Sequence, residues 1–171
     1  MSPTFSYRTA TAADVPAICE TAAAGFAGYA QFAPAGWQPP EAPSDAALVA
    51  GRMGLARAVA IVAECGAGPA GHVLLIPAIQ SREPIADPQL GHVMHVFVRE
   101  PYWGTGVASE LLRRLRDGAR AEGFSRARLF TPARQLRARR FYEREGWELV
   151  RGPWLDEILD FGVVEYRLDP I

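Results

Sequence analysis

The sequence has no lysine and no asparagine, so all 18 of its basic residues are arginine. It has only two cysteines, Cys19 and Cys65. Two thiols are too few for a disulfide framework or a zinc site, and both read as ordinary reduced thiols. No metal-ligand cluster stands out. Nothing approaches the roughly 18 consecutive apolar residues that span a bilayer. The opening stretch MSPTFSYRT lacks the charged region and apolar run of a signal peptide, so the expected location is cytoplasmic, with no membrane partner. Internal repeats and low-complexity tails are also missing, and no Ser/His/Asp order or reactive cysteine argues for acyl-enzyme chemistry.

What remains is the composition of an ordinary globular protein, 49% hydrophobic and 22% charged over 171 residues. That length predicts one domain over residues 1–171, large enough to bury a real core. Charge is unevenly spread. Eleven arginines lie between Arg113 and Arg144 against three acids, which leaves seven arginines against 16 acids elsewhere. The split suggests one anionic and one cationic ligand, the alternative being solvated helix faces. A net charge of −1 and no recognised nucleic-acid module argue against nucleic acid.

Hydrophobic patterning predicts strands at 5–8, 59–63, 71–76, 91–98, 126–131, 147–150 and 163–168. Helices are expected at 11–26, 44–56, 106–122 and 133–145. Thr11 and Asp14 form a capping box for the first helix, and the turn 65–69 makes a hairpin of the second and third strands. In the third helix Val107, Leu111, Leu112, Leu115 and Ala119 share one face, with Arg113, Arg116 and Arg120 on another. The whole is an α/β fold with a mixed, mostly antiparallel sheet of about seven strands flanked by about four helices.

The most informative stretch is Val96-Phe97-Val98 followed by Arg99-Glu100-Pro101-Tyr102 and the turn Trp103-Gly104-Thr105-Gly106-Val107-Ala108. A strand enters a glycine turn that leads directly into a helix whose first N–H groups have no internal partner. Such a helix start favours a phosphate, and Gly104 and Gly106 let the backbone approach it. This segment resembles the GNAT motif, in which a strand leads into Arg/Gln-x-x-Gly-x-Gly/Ala and the pyrophosphate-binding helix. Trp103 stands where the family has Arg or Gln, which removes one side-chain contact. A second stretch, Gln135 to Trp147, resembles the family's Asn-x-x-Ala-x-x-Phe-Tyr…Gly-Phe, with Gln135 for the Asn and Trp147 for the last Phe.

The resemblance implies a twisted GNAT fold and an N-acetyltransferase that uses acetyl-CoA as cosubstrate and no metal. It implies transfer of the acetyl group to a primary amine of a small molecule, by direct attack in a ternary complex. It places the pantetheine arm against the free backbone edge of Val96, Phe97 and Val98, with the oxyanion donor near Phe97, and the pyrophosphate on residues 103–108. Tyr142, in the second motif, matches the tyrosine that protonates the departing thiolate. Arginines on its helix would favour phenolate and make it a better acid; a core tyrosine packed beside Phe141 is the alternative. His92 falls where similar enzymes carry a Glu or His base, and His95 is the second candidate. A spacing of three puts the two on opposite faces of a regular strand unless a bulge intervenes. His72 reads as structural.

A small cationic or polar amine is the expected acceptor. The acidic stretch Asp156, Glu157 and Asp160 would draw it in, and the aromatics Phe26, Tyr29, Phe32 and Trp37 would wall it. A protein lysine or N-terminal acetyltransferase, or a non-catalytic acyl-CoA-binding module, are the alternatives, and a homodimer is compatible with the sequence.

Overall fold

The computed structural model describes residues 3–66 and 68–171. Met1 and Ser2 of the opening stretch, and Ala67 at the centre of the expected hairpin turn, lie outside them. In chain order the elements are β1 (Phe5–Thr9), α1 (Val15–Ala27), α2 (Ala46–Met53), β2 (Val59–Cys65), β3 (Gly68–Pro77) and β4 (Leu90–Val98). They continue with α3 (Val107–Ala121), β5 (Arg126–Pro132), α4 (Leu136–Arg144), β6 (Glu148–Asp156) and β7 (Phe161–Leu168). The strands form one seven-stranded sheet in the order β1-β2-β3-β4-β5-β7-β6. β4 and β5 run parallel, and every other neighbouring pair is antiparallel.

The middle strands are apolar on both faces because both faces are covered. Val59, Ile61, Val73 and Leu75 pack on one side with Leu111, Leu112 and Leu115 of α3. Their alternating neighbours point the other way, Val62 to Val15 and Ile18 of α1 and Val49 of α2, and Ala60, Leu74 and Ile76 into an adjoining cluster. The buried stripe of α3 is Val107, Leu111, Leu112, Leu115 and Ala119, as its periodicity predicts. Caps set the helix starts: Asp14 accepts the Thr11 N–H at 2.7 Å and Asp45 accepts the Leu48 N–H at 2.9 Å. Among the described residues, no helix is long and apolar enough to cross a membrane.

Several boundaries differ from the sequence expectation by a few residues, and two of these differences bear on the site. Helix α4 starts at Leu136 rather than about 133, because Gln135 takes a non-helical backbone (φ −80°, ψ 69°). Strand β6 runs to Asp156, well past the expected end at 150. It lies at the sheet edge, pairs with β7 alone and is mostly exposed, so no apolar alternation marks it.

Candidate active site

The parallel ladder between β4 and β5 is short. Leu90 to Val93 pair with Arg126 to Leu129, and there it ends. Beyond that point Val96 to Val98 pair only with β3, and Phe130 to Pro132 only with β7. The sheet therefore parts into a wedge that opens between its two halves. The direction of each backbone group along β4 follows from strand alternation. The Arg99 N–H donates to the Ala70 carbonyl at 2.9 Å. A Cβ placed on Gly71 would stand 2.6 Å from the Phe97 oxygen. Residues 97 and 99 thus face β3, and Val96 and Val98 direct their backbone groups into the wedge. The Phe97 N–H itself faces β3, so a backbone donor near Phe97 for a ligand in the wedge is that of Val96 or Val98. The Val98 carbonyl is taken by the Trp103 indole N–H at 2.7 Å, which leaves its N–H.

The glycine turn sits at the open end of the wedge. Gly104 (φ +78°) and Gly106 (φ +88°) hold left-handed conformations, and a Cβ on either would meet no protein atom within 4 Å. Space and backbone thus both face outward. The Glu110 N–H closes the first turn on the Gly106 carbonyl, so the N–H groups of Val107, Ala108 and Ser109 have no intrahelical partner. The Thr105 hydroxyl donates to the Tyr102 carbonyl at 2.6 Å and braces the turn. Trp103 is exposed, and the Arg137 guanidinium of α4 lies 4.0 Å from its ring centroid. A cation therefore stands beside the turn even though position 103 does not supply one. Gln135 caps α4 nearby, its amide oxygen accepting from the Thr131 hydroxyl at 3.3 Å. These groups fit a pyrophosphate: backbone donors, a helix start and one cation.

Across the sheet from α3, a cavity of about 120 Å³ opens on the α1/α2 face beside the wedge. Phe26, Tyr29, Leu48, Ile76, Phe130 and Val163 supply apolar wall, and His92, His95, Arg52, Arg82 and Asp156 the polar groups. Both histidines reach this one face because the β3–β4 register slips between Leu74 and Leu75, leaving Met94 as an extra residue. His92 is 8% exposed, with an unpartnered Nδ1, and its ring packs on Phe130 at 4.9 Å. His95 and His72 are more deeply buried and joined by a 3.1 Å Nδ1–Nε2 hydrogen bond, one ring donating and the other accepting.

Burial holds all three imidazoles neutral. His92 is pushed down to about 3 by desolvation and then by Arg128, Arg82 and Arg52; its near neighbour His95 adds a smaller downward push. His95 is pushed down to about 4 by desolvation, against a weaker upward pull from the Pro43 carbonyl, and His72 lies well below its ordinary value.

Tyr142 is buried in the core that α3 and α4 share, with Trp147 and Tyr166 around its ring. Burial pushes its phenol up, and Tyr29 adds to the rise. The expectation that helix arginines favour phenolate is therefore corrected. Arg137 stacks on Trp103, and Arg139 is spent on the Tyr166 hydroxyl and the Ala133 carbonyl.

Of the acidic stretch, Glu157 and Asp160 are exposed, and Asp156 alone departs from the reading. Asp156 is buried, and Arg82 grips both its oxygens at 3.0 and 2.6 Å. It also accepts the N–H groups of Ile158 and Leu159, so its carboxylate closes the β6–β7 turn rather than facing an incoming cation. Two of the four aromatics wall the cavity, Phe26 and Tyr29; Phe32 and Trp37 do not line it, and the Trp37 indole ties its loop to the Leu159 carbonyl at 2.5 Å. Arg52, Arg82, Arg128 and Arg137 are the site residues that sequence reading missed. Arg82 sits in a loop and Arg52 on a short helix, with no periodic or motif signal to mark either.

The sequence matches the model of the Acetyltransferase (GNAT) family over residues 22–147. Solved structures share the fold. That of yncA from Salmonella typhimurium with its cofactor acetyl-CoA has a TM-score of 0.71 at 19% identity, covering 96% of this chain and 93% of its own. An N-acetyltransferase from Staphylococcus aureus Mu50 gives 0.73 at 18% identity, covering 97% and 98%. A GCN5-related N-acetyltransferase from Kribbella flavida gives 0.70 at 17%, covering 96% and 97%. A comparison with curated protein sequences returned no match.

Proposed function

The chain belongs to the acetyltransferase (GNAT) family, and we propose that its single domain moves an acetyl group from acetyl-CoA to the primary amine of a small molecule. The observation that carries this reading is the parting of β4 from β5, with a phosphate cradle at one end and a small cavity on the other face. A wedge of that form admits a long thioester from one side and an amine from the other. The likeness to yncA, solved with acetyl-CoA, supports the same cosubstrate here. A cavity of only about 120 Å³, lined largely by apolar side chains, favours a small acceptor over a protein chain.

In this reading Val107, Ala108 and Ser109 hold the pyrophosphate with their free amides, and Arg137 balances its charge. Val96 and Val98 pair with the pantetheine arm. Acetyl-CoA supplies an activated carbonyl carbon. The amine nitrogen bonds to that carbon as the carbon–sulfur bond breaks, and the products are an N-acetyl amine and free CoA thiol. The Val96 N–H donates to the oxygen while it carries negative charge. An imidazole held as low as that of His92 cannot strip a free ammonium, so the amine enters as free base. Once bonded to carbon the nitrogen is strongly acidic, and His92, or a water it orders, then takes its proton. Tyr142, always protonated, donates to the departing sulfur. Close positioning of amine and thioester supplies much of the rate.

The test is release of CoA thiol from acetyl-CoA across an amine panel, with the N-acetyl product identified by mass. Binding of acetyl-CoA without turnover of any amine would leave a binding module in place of an enzyme.

A further inference from the structure

The wall of the acceptor cavity carries more positive charge than its own carboxylate can balance. Arg52 and Arg82 line it against the single acid Asp156. Asp156 is fully committed to Arg82 and to two backbone N–H groups. Arg52 has no ion pair among the described residues; one terminal N–H donates to the Gln80 carbonyl, and its Nε is buried without a partner. Directly behind the wall Arg128, 1% exposed, donates to the Ser81 hydroxyl at 2.8 Å and to the Glu83 carbonyl. It too makes no ion pair among the described residues, and its Nε is unpartnered. Glu83 and Glu165, the nearest acids, are held by Arg151 and Arg167. After desolvation, the largest charge effects on His92 come from Arg128, Arg82 and Arg52, with a smaller one from His95.

A buried cation without an ion-pair partner, as Arg128 is, is costly, and at the partly exposed Arg52 the unpaired charge is also open to a ligand; an anion that supplies the missing charge recovers part of that cost on binding. The remaining wall is apolar. Building on the acetyl-transfer reading, we infer that the acceptor is an amino acid with an apolar side chain, its carboxylate held by Arg52 and Arg82 and its amine turned to the wedge. The two guanidiniums offer planar donor pairs that suit a carboxylate, and the charge of Arg128 reinforces them from behind. Phe26, Leu48 and Ile76 receive the side chain. A polyamine or aminoglycoside would meet the same arginines as repulsion, which reverses the expectation drawn from the acidic stretch.

The test uses triplets that share one side chain: leucine, leucinamide and isoamylamine, and the same series built on methionine and phenylalanine. With acetyl-CoA saturating, kcat/KM for the acid of the best triplet should exceed those of its amide and amine ten- to hundredfold, the range of one charge-assisted hydrogen-bonded contact. Arg52→Gln should collapse the acid-to-amide ratio toward one, and Arg52→Lys should restore part of it, with melting curves confirming that both variants fold. A panel in which amides or plain amines match the acids overturns the inference, as does a ratio that survives in Arg52→Gln. So does a protein that binds acetyl-CoA by calorimetry yet acetylates only amines without an acid group. Failure to bind acetyl-CoA at all would instead remove the acetyl-transfer reading, and this inference with it.

Discussion

Three neutral imidazoles buried together make stability fall steeply as the pH drops. His72, His92 and His95 are each at least nine-tenths buried, with folded-state values near 3 for His92, near 4 for His95 and well below normal for His72. In the unfolded chain each titrates near the ordinary 6.5. Between those values the unfolded state binds protons that the folded state refuses, so the stability present above pH 6.5 is progressively lost on acidification. Lowering the pH from 7 to 5 should cost about 1.9 kcal/mol for each of His92 and His95, or about 4 kcal/mol for the two, by integrating the proton difference, and His72 adds to it in the same direction. For a chain of this length that is a fall in Tm of at least about 8 °C. The carboxylates do not confuse the window. Asp14, Glu110 and Asp156 are held below their usual range, so their contribution is lost only under about pH 4.5. Urea unfolding at half-unit steps of pH would measure the slope directly. His92→Gln should remove about 1.9 kcal/mol of the pH dependence whatever it does to stability at pH 7. A Tm at pH 5 within about 3 °C of that at pH 7 would refute the reasoning. So would imidazole resonances that titrate near 6.5.

The catalytic assignments carry their own expectations. Tyr142→Phe should lower kcat roughly 10²-fold with little change in the acetyl-CoA KM, measured by thiol release, because it removes the donor to the sulfur. Gly106→Val should weaken acetyl-CoA binding at least about tenfold by calorimetry and cost about 1–2 kcal/mol of stability, since a side chain at φ +88° is strained and would fill the cradle. The profile of kcat/KM against pH should show no limb near 6.5 and should rise toward the pKa of the amine, because His92 and His95 are already neutral at pH 5.5.

Much of the fold is written in local pattern. The stripe of α3, the runs of β2 and β3 and the two capping residues are dictated by periodicity and cap chemistry, and the structure keeps them. The glycine turn was legible for the same reason, since two left-handed positions on either side of Thr105, just before a helix, admit little but glycine. The placement of the histidines was not. A regular strand would have split His92 from His95, and the bulge at Met94 that unites them depends on pairing with β3, which no local signal encodes. Asp156 illustrates the same limit: its partner Arg82 lies 74 residues away, and only the closed sheet brings them together.

Arginine distribution had to be read in three dimensions to be read at all. Along the chain the basic block 113–144 looks like the anion site and the remainder looks acidic. In the fold, part of that block is neutralised by acids within and beside it: Arg113 and Arg114 bond Glu110, Arg116 meets Glu145, and Arg120 bonds Asp117 and the Ile171 carbonyl. Arg137 is left beside the glycine turn, and Arg128 crosses to the opposite side of the sheet to join Arg52 and Arg82. One segment thus contributes a cation to each end of the wedge. What decides the charge a ligand meets is which arginines remain without a carboxylate once the sheet has closed, and at the acceptor end those are Arg52 and Arg128.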